Sequence, residues 1–270
     1  MSGTERSLLF VPGDRPDRFD KAVASGAHQV VLDLEDAVAP ASKDQARTMV
    51  REWLAAGNQA AVRINAVDTP WHEDDLQMLK AFPSAVVMLA KADDISLARA
   101  SDALPGHQFI ALLETVAGYV KLSELCAVTG LKRIAFGSID FSVDSGIADE
   151  GEALTAVRTQ IVLASRYAGL AAPIDGVSTE FTDEQCMRAD ALRSRSLGFG
   201  GKLCIHPRQT AAVNNAYLPT AEEVDWARRV LQAFESSGGG ATALDGKMID
   251  KPVVDHARQV LADNERRGKA

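Results

Sequence analysis

The chain alternates between short apolar runs and longer amphipathic segments. The apolar runs are rich in Val, Ile and Leu and lack polar alternation, which is typical of strands buried on both faces of a parallel sheet. Eight runs are predicted as strands: residues 7–11, 29–34, 60–64, 85–89, 109–113, 133–136, 171–174 and 202–205. The predicted helices between them include residues 42–55, 74–81, 95–103 and 154–168.

Glycine marks the ends of three predicted helices. Gly57, Gly106 and Gly169 lie just beyond them, where a left-handed residue commonly stops a helix. Eight repeats of a strand followed by a helix predict an α/β protein with a TIM (β/α)8 barrel. An open doubly wound sheet is the rival architecture, but the sequence contains neither a GxGxxG nor a P-loop motif to favour it.

The pattern changes after the barrel region, which we predict to span residues 1–220. Residues 222–234 form a predicted helix, and SSGGGA at 236–241 has the composition of a flexible linker. A last helix is predicted over residues 251–267. Residues 221–270 are therefore expected to form a C-terminal helical extension, with a Gly-rich linker and a lid-like arm.

Composition narrows the function classes. The 270 residues carry a formal net charge of -8, which argues against a nucleic-acid partner, although a few local cations can still bind an anionic ligand. The three cysteines are widely spaced and form no CxxC pair, which argues against disulfides and a thiolate zinc site. The sequence shows neither a signal-peptide pattern nor an apolar stretch long enough to span a membrane. A cytoplasmic enzyme without a membrane partner is expected.

Ionisable and polar residues gather where the predicted strands end. Barrel enzymes carry their chemistry at this rim. The rim residues are Asp33, Glu35, Asp36, Arg63, Asn65, Lys91, Glu114, Asp140, Asp175, Lys202 and His206. Because buried charge is costly unless it is paired or bound to a metal, a rim so rich in carboxylates predicts a cation. Oxygen ligands favour Mg²⁺, with Mn²⁺ as the alternative, and the adjacent ends of strands 5 and 6 offer Glu114 and Asp140.

Seven stretches carry a resemblance to a known family. They are RSLLFVPGDRPDRFDKA (6–22), VVLDLEDAV (30–38), VRINAVDTPW (62–71), LLETVAGY (112–119), FGSIDFSVDSGI (136–147), GFGGKLCIHPRQ (198–209) and GKMIDKPVVDHA (246–257). In this order they resemble the HpcH/HpaI aldolase and citrate lyase family. The chain is most similar to the citrate lyase beta-subunit-like branch, which includes malyl-CoA and citramalyl-CoA lyases.

The resemblance implies a TIM barrel that assembles as a homotrimer or hexamer. It implies Mg²⁺ ligation by Glu114 and Asp140, substrate contacts from Arg63 and Glu114, and CoA contacts from Phe10, Arg15 and Lys21. It also implies that Asp250, in the MIDKP motif, is an acid/base residue that reaches the site of a neighbouring subunit. The Gly-rich linker before Asp250 suits such an arm.

The expected reaction is cleavage of a carboxylate-bearing 3-hydroxyacyl-CoA to acetyl-CoA and a 2-oxo acid. Mg²⁺ would act as a Lewis acid and template, and Arg63 would stabilise the negative charge that develops on oxygen. Asp250 would exchange a proton with the enolate carbon of acetyl-CoA. Glu35 and Asp36 would hold metal-bound waters or orient Arg63.

Simpler interpretations stay open for several residues. Arg63 could bridge the rim acids, Arg15 and Lys21 could be solvated surface residues, and Asp250 could be a helix N-cap. A class II pyruvate aldolase acting on free 2-keto-4-hydroxy acids is the first alternative function. Such enzymes usually carry a base histidine near an early strand, and residues 1–27 contain none. A non-catalytic or complex-bound citrate lyase beta-like subunit is the second alternative.

Overall fold

Eight parallel strands close into a barrel in the computed structural model, which describes residues 4–265. In chain order they are β1 (Ser7–Pro12), β2 (Gln29–Asp33), β3 (Ala61–Ile64), β4 (Val86–Leu89), β5 (Gln108–Leu113), β6 (Leu131–Phe136), β7 (Ile174–Asp175) and β8 (Gly201–Cys204). Consecutive strands are hydrogen-bonded neighbours, and β8 pairs with β1 to close the barrel. The predicted TIM barrel is confirmed.

Apolar side chains fill the barrel interior, as the lack of polar alternation along the strands predicts. The core cluster takes at least one buried residue from every strand: Leu8, Val31, Ala61, Val86, Met88, Ile110, Leu112, Ala135, Ile174 and Leu203. Because the interior is packed with these side chains, polar chemistry is confined to the ends of the barrel.

Helices alternate with the strands. They are α1 (Phe19–Val23), α2 (Lys43–Ala55), α3 (His72–Leu79), α4 (Asp94–Ala103), α5 (Val116–Val120), α6 (Leu122–Cys126), α7 (Ser138–Ser145), α8 (Thr155–Tyr167), α9 (Glu184–Ser196) and α10 (Arg208–Ala216). Helix α2 shows why such segments fold, since Ala46, Val50 and Leu54 recur every fourth residue and form its buried face. In the part of the chain that the structure describes, no helix combines the length and apolarity needed to cross a membrane.

The predicted seventh strand is misplaced. The sequence predicts the seventh strand over residues 171–174, but β7 is the two-residue strand Ile174–Asp175. Pro173 has no N–H to donate to a ladder, which interrupts the pairing. The backbone before β7 still follows its neighbours, since the Ala171 N–H donates to the Lys132 carbonyl at 3.2 Å and Pro173 accepts from Gly200 at 2.9 Å.

The contacts of the chain divide it into two units between residues 214 and 215. The second unit contains α11 (Ala221–Ser236), a hairpin of β9 (Thr242–Leu244) and β10 (Lys247–Ile249), and α12, which is described as Lys251–Glu265. Its own apolar cluster includes Val224, Ala227, Val230, Ile249, Val254, Ala257 and Val260. The predicted domain boundary, between residues 220 and 221, falls at the start of α11. The predicted end of the last helix, at residue 267, lies outside the described residues.

A buried lysine joins the loops that follow β2 and β3 through hydrogen bonds. Lys43, at the start of α2, is 5% exposed. Its Nζ donates to the carbonyls of Leu34 and Glu35, at 2.7 Å each, and to Asn65 Oδ1 at 2.8 Å. Burial lowers the pKa of Lys43, and nearby carboxylates, Asp33 first among them, oppose that shift. One ammonium group thus satisfies three acceptors directly behind the rim.

Replacing Lys43 by Met should destabilise the protein by about 3 kcal/mol, because three buried acceptors lose their donor. The free energy of unfolding, measured by chemical denaturation, checks this. The control is Lys80→Met, because Lys80 is exposed and its Nζ donates only to Gln77 among the described residues. Lys80→Met should change the free energy by less than about 0.5 kcal/mol. Equal effects of the two substitutions would contradict the assignment.

Candidate active site

Arg63 is held at the rim by a two-point ion pair. Asp33 of β2 and Arg63 of β3 lie opposite each other in register. Arg63 Nε donates to Asp33 Oδ1 at 2.7 Å and Nη2 donates to Oδ2 at 2.6 Å. The same carboxylate accepts the N–H groups of Glu35 and Ala37. The guanidinium plane is therefore fixed, and Arg63 also lies 4.7 Å over the ring of Phe10.

Burial opposes the charge of Arg63, but Asp33 and Glu35 outweigh it and raise the Arg63 pKa above its ordinary value. Arg63 is thus a permanent cation at any working pH. Its third nitrogen, Nη1, lies 3.0 Å from Glu35 Oε2, although the angles do not satisfy a hydrogen bond. Asp36 is farther away, with Oδ2 at 4.0 Å from Nη1, and its side chain is 56% exposed.

Glu35 lies between two cations. Its Oε1 accepts from Lys91 Nζ at 2.9 Å, and its Oε2 faces Arg63. Burial nevertheless raises the Glu35 pKa, because desolvation outweighs the attraction of both cations. The predicted role of Glu35 and Asp36 in orienting Arg63 is compatible with these distances and stays a prediction.

Glu114 directly follows β5 and is 1% exposed. Its Oε1 accepts the Lys91 backbone N–H at 2.7 Å, whereas its buried Oε2 has no hydrogen-bond partner. Burial, followed by repulsion from Glu35, raises the Glu114 pKa to about 8, and Asp140 adds to this repulsion. A buried carboxylate oxygen without a partner is the kind of atom that a cation stabilises.

Gly137 allows Glu114 to come close to the next strand end. A Cβ at position 137 would lie 2.6 Å from Glu114 Cβ and 2.7 Å from its Oε2, so a larger residue would displace the carboxylate. Gly137 also precedes α7, whose first turn carries the half-buried Asp140. The close packing of these two strand ends brings both predicted metal ligands to one pocket.

Four predicted site residues line this pocket: Phe10, Arg63, Glu114 and Asp140. Its remaining lining residues are Leu112, Gly137, Ser138, Ile139, Val177 and Leu203. The arrangement combines one fixed cation, two carboxylates and an apolar wall. Such a site can hold a hard divalent cation and a small oxyanion next to each other. Within residues 4–265 no group of three or more His, Cys, Asp or Glu side chains is arranged as a metal site.

Among the predicted catalytic and CoA-binding residues, three do not line the pocket. Arg15 is exposed and pairs with Asp17, with Nε at 3.1 Å from Oδ1, and Lys21 is exposed on α1. Asp250 belongs to the second unit, at the start of α12, where its Oδ1 accepts the Val253 N–H at 3.4 Å. These positions agree with the simpler interpretations, in which Arg15 and Lys21 are solvated surface residues and Asp250 is a helix cap. Their proposed roles stay predictions.

The charged residues at strands 7 and 8 form a separate network. Lys202 Nζ lies 2.8 Å from Asp190 Oδ2, and Arg158 Nε lies 2.9 Å from Asp175 Oδ1. Lys202, Arg158 and Asp175 are all buried. Each of these charges has an opposite partner, which is compatible with a structural role for this part of the rim.

The sequence places Lys91 at the end of a strand but predicts no role for it. In the structure it contacts Glu114 through its backbone N–H and Glu35 through its side chain. Its backbone φ is 50°, a left-handed value that is rare outside glycine. The only signal in the sequence was its position at the end of strand 4.

Residues 6–207 match the family model described as HpcH/HpaI aldolase/citrate lyase, which is well over half of the chain. The chain belongs to this family. The family predicted from the seven sequence stretches, and the predicted enzyme class, a lyase, are therefore confirmed.

Individual relatives cover nearly the whole chain. A citrate lyase subunit beta-like protein of Mycobacterium tuberculosis is 38% identical over 260 residues, which cover 94% of this chain and 93% of that protein. A (3S)-malyl-CoA thioesterase of Cereibacter sphaeroides is 32% identical and covers 96% of this chain and 94% of that protein. The crystal structure of CitE from M. tuberculosis in complex with magnesium, acetoacetate and coenzyme A matches with a TM-score of 0.87 at 35% identity, covering 97% of this chain and 98% of that chain.

The raised pKa of Glu114, about 8 against an ordinary 4.5, predicts how stability depends on pH without a cation. Between these values the folded protein keeps a proton that the unfolded chain releases. Wild-type stability should therefore fall as pH rises, by up to about 1.4 kcal/mol per unit from this group. Glu114→Gln cannot titrate and should lack this loss.

The measurement is chemical denaturation of both proteins from pH 5 to 8 in the presence of a chelator. The stability of Glu114→Gln relative to wild type should increase across this range. Glu124→Gln, at an exposed acid, should keep a constant difference from wild type. Parallel stability curves for wild type and Glu114→Gln would exclude a raised Glu114 pKa.

Proposed function

We propose that the protein is a Mg²⁺-dependent carbon–carbon lyase that cleaves a carboxylate-bearing 3-hydroxyacyl-CoA, of the citryl-, malyl- or citramalyl-CoA type, to acetyl-CoA and a 2-oxo acid. The observation that carries the proposal is the pocket in which the unpartnered Glu114 Oε2 and Asp140 share a lining with Arg63. Support comes from the related CitE, whose structure contains magnesium, acetoacetate and coenzyme A.

The residues of the pocket fit a magnesium ion. Glu114 Oε2 is buried without a hydrogen-bond partner, and Glu114 and Asp140 repel each other. Magnesium typically takes one or two protein carboxylates and keeps its other positions for water and substrate. When bound, Mg²⁺ supplies a Lewis acid and a template for the substrate carboxylate and its neighbouring oxygen. Mn²⁺ has the same ligand preference and is the alternative ion.

Arg63 stabilises the negative charge that develops on oxygen as the substrate hydroxyl gives up its proton. Its two bonds to Asp33 fix the guanidinium before substrate binds, so little reorganisation is needed during the reaction. Its raised pKa means that Arg63 acts by charge and does not donate the proton itself. Glu35 orients the Nη1 end of this guanidinium from 3.0 Å, and Asp36 lies 4.0 Å from the same nitrogen.

Asp250 provides the proton exchange at carbon. The substrate hydroxyl loses its proton as its oxygen becomes the carbonyl of the 2-oxo acid, and the electron pair of the broken carbon–carbon bond stays on the acetyl-CoA fragment as an enolate. An acid/base residue that takes the hydroxyl proton and returns it to the enolate carbon balances the step. The family resemblance assigns this step to Asp250, on the arm of a neighbouring subunit in a homotrimer or hexamer. The N-cap contact to Val253 is compatible with this role, because one carboxylate oxygen remains for the substrate.

CoA would enter past the loops that follow β1. Phe10 belongs to the pocket, and Arg15 and Lys21 lie on the next turn and helix. Both cations are exposed, and Arg15 would exchange Asp17 for a CoA phosphate, where a charge-assisted bond suffices. We also propose that the protein acts in the cytoplasm.

A thioesterase is the second candidate function, because a relative with 32% identity is named a (3S)-malyl-CoA thioesterase. It would use the same pocket and the same acyl-CoA. The two activities differ in the bond that breaks, since a thioesterase releases free CoA and leaves the carbon skeleton intact.

A spectrophotometric screen with Mg²⁺ and citryl-, malyl- and citramalyl-CoA tests the proposal. Free thiol and 2-oxo acid are followed separately. We expect a 2-oxo acid without free thiol from at least one ester, and a loss of at least about 100-fold when a chelator removes the metal. Thiol without a 2-oxo acid would establish the thioesterase. Cleavage of free 2-keto-4-hydroxy acids, with all CoA esters inert, would establish the pyruvate aldolase.

Replacing Asp250 by Asn should abolish cleavage, by about 100-fold or more, while leaving Mg²⁺ affinity intact. Asn caps helices as well as Asp does, so the substitution separates proton transfer from capping. Asp255→Asn, at an exposed acid of α12, is the matched control and should keep full activity. Unchanged turnover in Asp250→Asn would remove Asp250 from the mechanism, and an unaltered melting temperature would exclude misfolding.

A further inference from the structure

Lys91 has a backbone conformation that a lysine rarely adopts. It lies just beyond the end of β4 with a φ of 50°. Among the residues that the structure describes, only one other non-glycine residue, Asp245, has a positive φ, and Asp245 occupies the tight turn between β9 and β10. No hairpin requires the conformation at Lys91. Left-handed residues of this kind are disfavoured by their Cβ and gather at functional sites.

The residues that follow Lys91 stabilise this backbone conformation. The Ala92 N–H donates to the Leu112 carbonyl at 3.1 Å, which ties the loop to β5. Asp93 then caps α4 with a capping box, in which Asp93 Oδ1 accepts the Ser96 N–H and Ser96 Oγ accepts the Asp93 N–H. The loop is therefore anchored immediately after Lys91, and the residue cannot relax independently.

The left-handed turn lets one residue contact two carboxylates. The Lys91 N–H donates to Glu114 Oε1 at 2.7 Å, while Nζ donates to Glu35 Oε1 at 2.9 Å. Glu114 then presents a single oxygen, Oε2, to the pocket. Both oxygens of Glu35 face cations: Oε1 accepts from Lys91 Nζ, and Oε2 lies 3.0 Å from Arg63 Nη1 as an ion pair without hydrogen-bond geometry.

We propose that Lys91 is a positioning residue that selects the ligands of the cation: it leaves Glu114 one oxygen and withdraws Glu35 from the metal site. The inference rests on the proposed function, in which Glu114 and Asp140 hold the ion. Without the ammonium group, Glu35 turns from a partner of Arg63 into a third carboxylate for the cation. The ion is then held more tightly, and Arg63 loses the partner that orients Nη1.

The test measures Mn²⁺ binding to the full chain by electron paramagnetic resonance, together with steady-state kinetics. Lys91→Met removes the charge, and Lys91→Gly removes it while relaxing the left-handed backbone and keeping the N–H. Both should bind Mn²⁺ more tightly, on the order of tenfold, because a nearby positive charge is lost and a carboxylate is released. At saturating metal, kcat should fall while KM changes little. Adding Glu35→Gln to Lys91→Met should return the affinity to near the wild-type value.

Lys80→Met is the matched control, since it removes one exposed positive charge elsewhere and should leave Mn²⁺ affinity unchanged. A merely structural role for Lys91 would lower the melting temperature and weaken Mn²⁺ binding together, and that result overturns the inference. Unchanged affinity in Lys91→Met and Lys91→Gly, with a wild type that binds Mn²⁺, overturns the inference and leaves the proposed function standing. A wild type that binds no Mn²⁺ overturns both.

Discussion

The two-point ion pair between Arg63 and Asp33 is the interaction on which the candidate site depends. It fixes the guanidinium, whose third nitrogen, Nη1, faces Glu35 Oε2 at 3.0 Å. Most of the positive charge of Arg63 is thus already balanced before any ligand arrives. Burial and repulsion from Glu35 outweigh the attraction of Arg63 for the Glu114 carboxylate, and they raise the Glu114 pKa to about 8. In the proposed function, a bound cation would supply the positive charge that the pocket lacks.

The scaffold and the pair of acids could be predicted from the sequence because both follow from topology. Eight apolar runs separated by helices leave few alternatives to a closed parallel barrel. Once the strands are parallel and consecutive, residues that follow strands 5 and 6 must meet at one rim, so Glu114 and Asp140 fall into one pocket. Only the seventh strand was placed wrongly, because an apolar run that contains Pro173 cannot pair along its full length.

Other features could not be predicted because they depend on individual backbone angles and on the reach of long side chains. The contacts of Lys43 and Lys91 span many residues in sequence, and nothing in the local pattern indicates them. The β9–β10 hairpin follows the predicted linker and is not predicted, although Asp245-Gly246 between two short apolar segments is a usable turn signal. Arg15, Lys21 and Asp250 came only from the family resemblance, because no periodicity or spacing distinguishes an exposed charge with a ligand from one in solvent.

The proton on Glu114 has a thermodynamic consequence for ligand uptake. In the proposed function, a cation that binds Oε2 at neutral pH would displace that proton, so loading the site would be an exchange of ions. The displaced proton passes to the buffer, whose own heat of ionisation is added to the heat of binding. The enthalpy measured by titration calorimetry therefore varies from one buffer to another in proportion to the number of protons released. The site thus couples metal occupancy to the acidity of its surroundings.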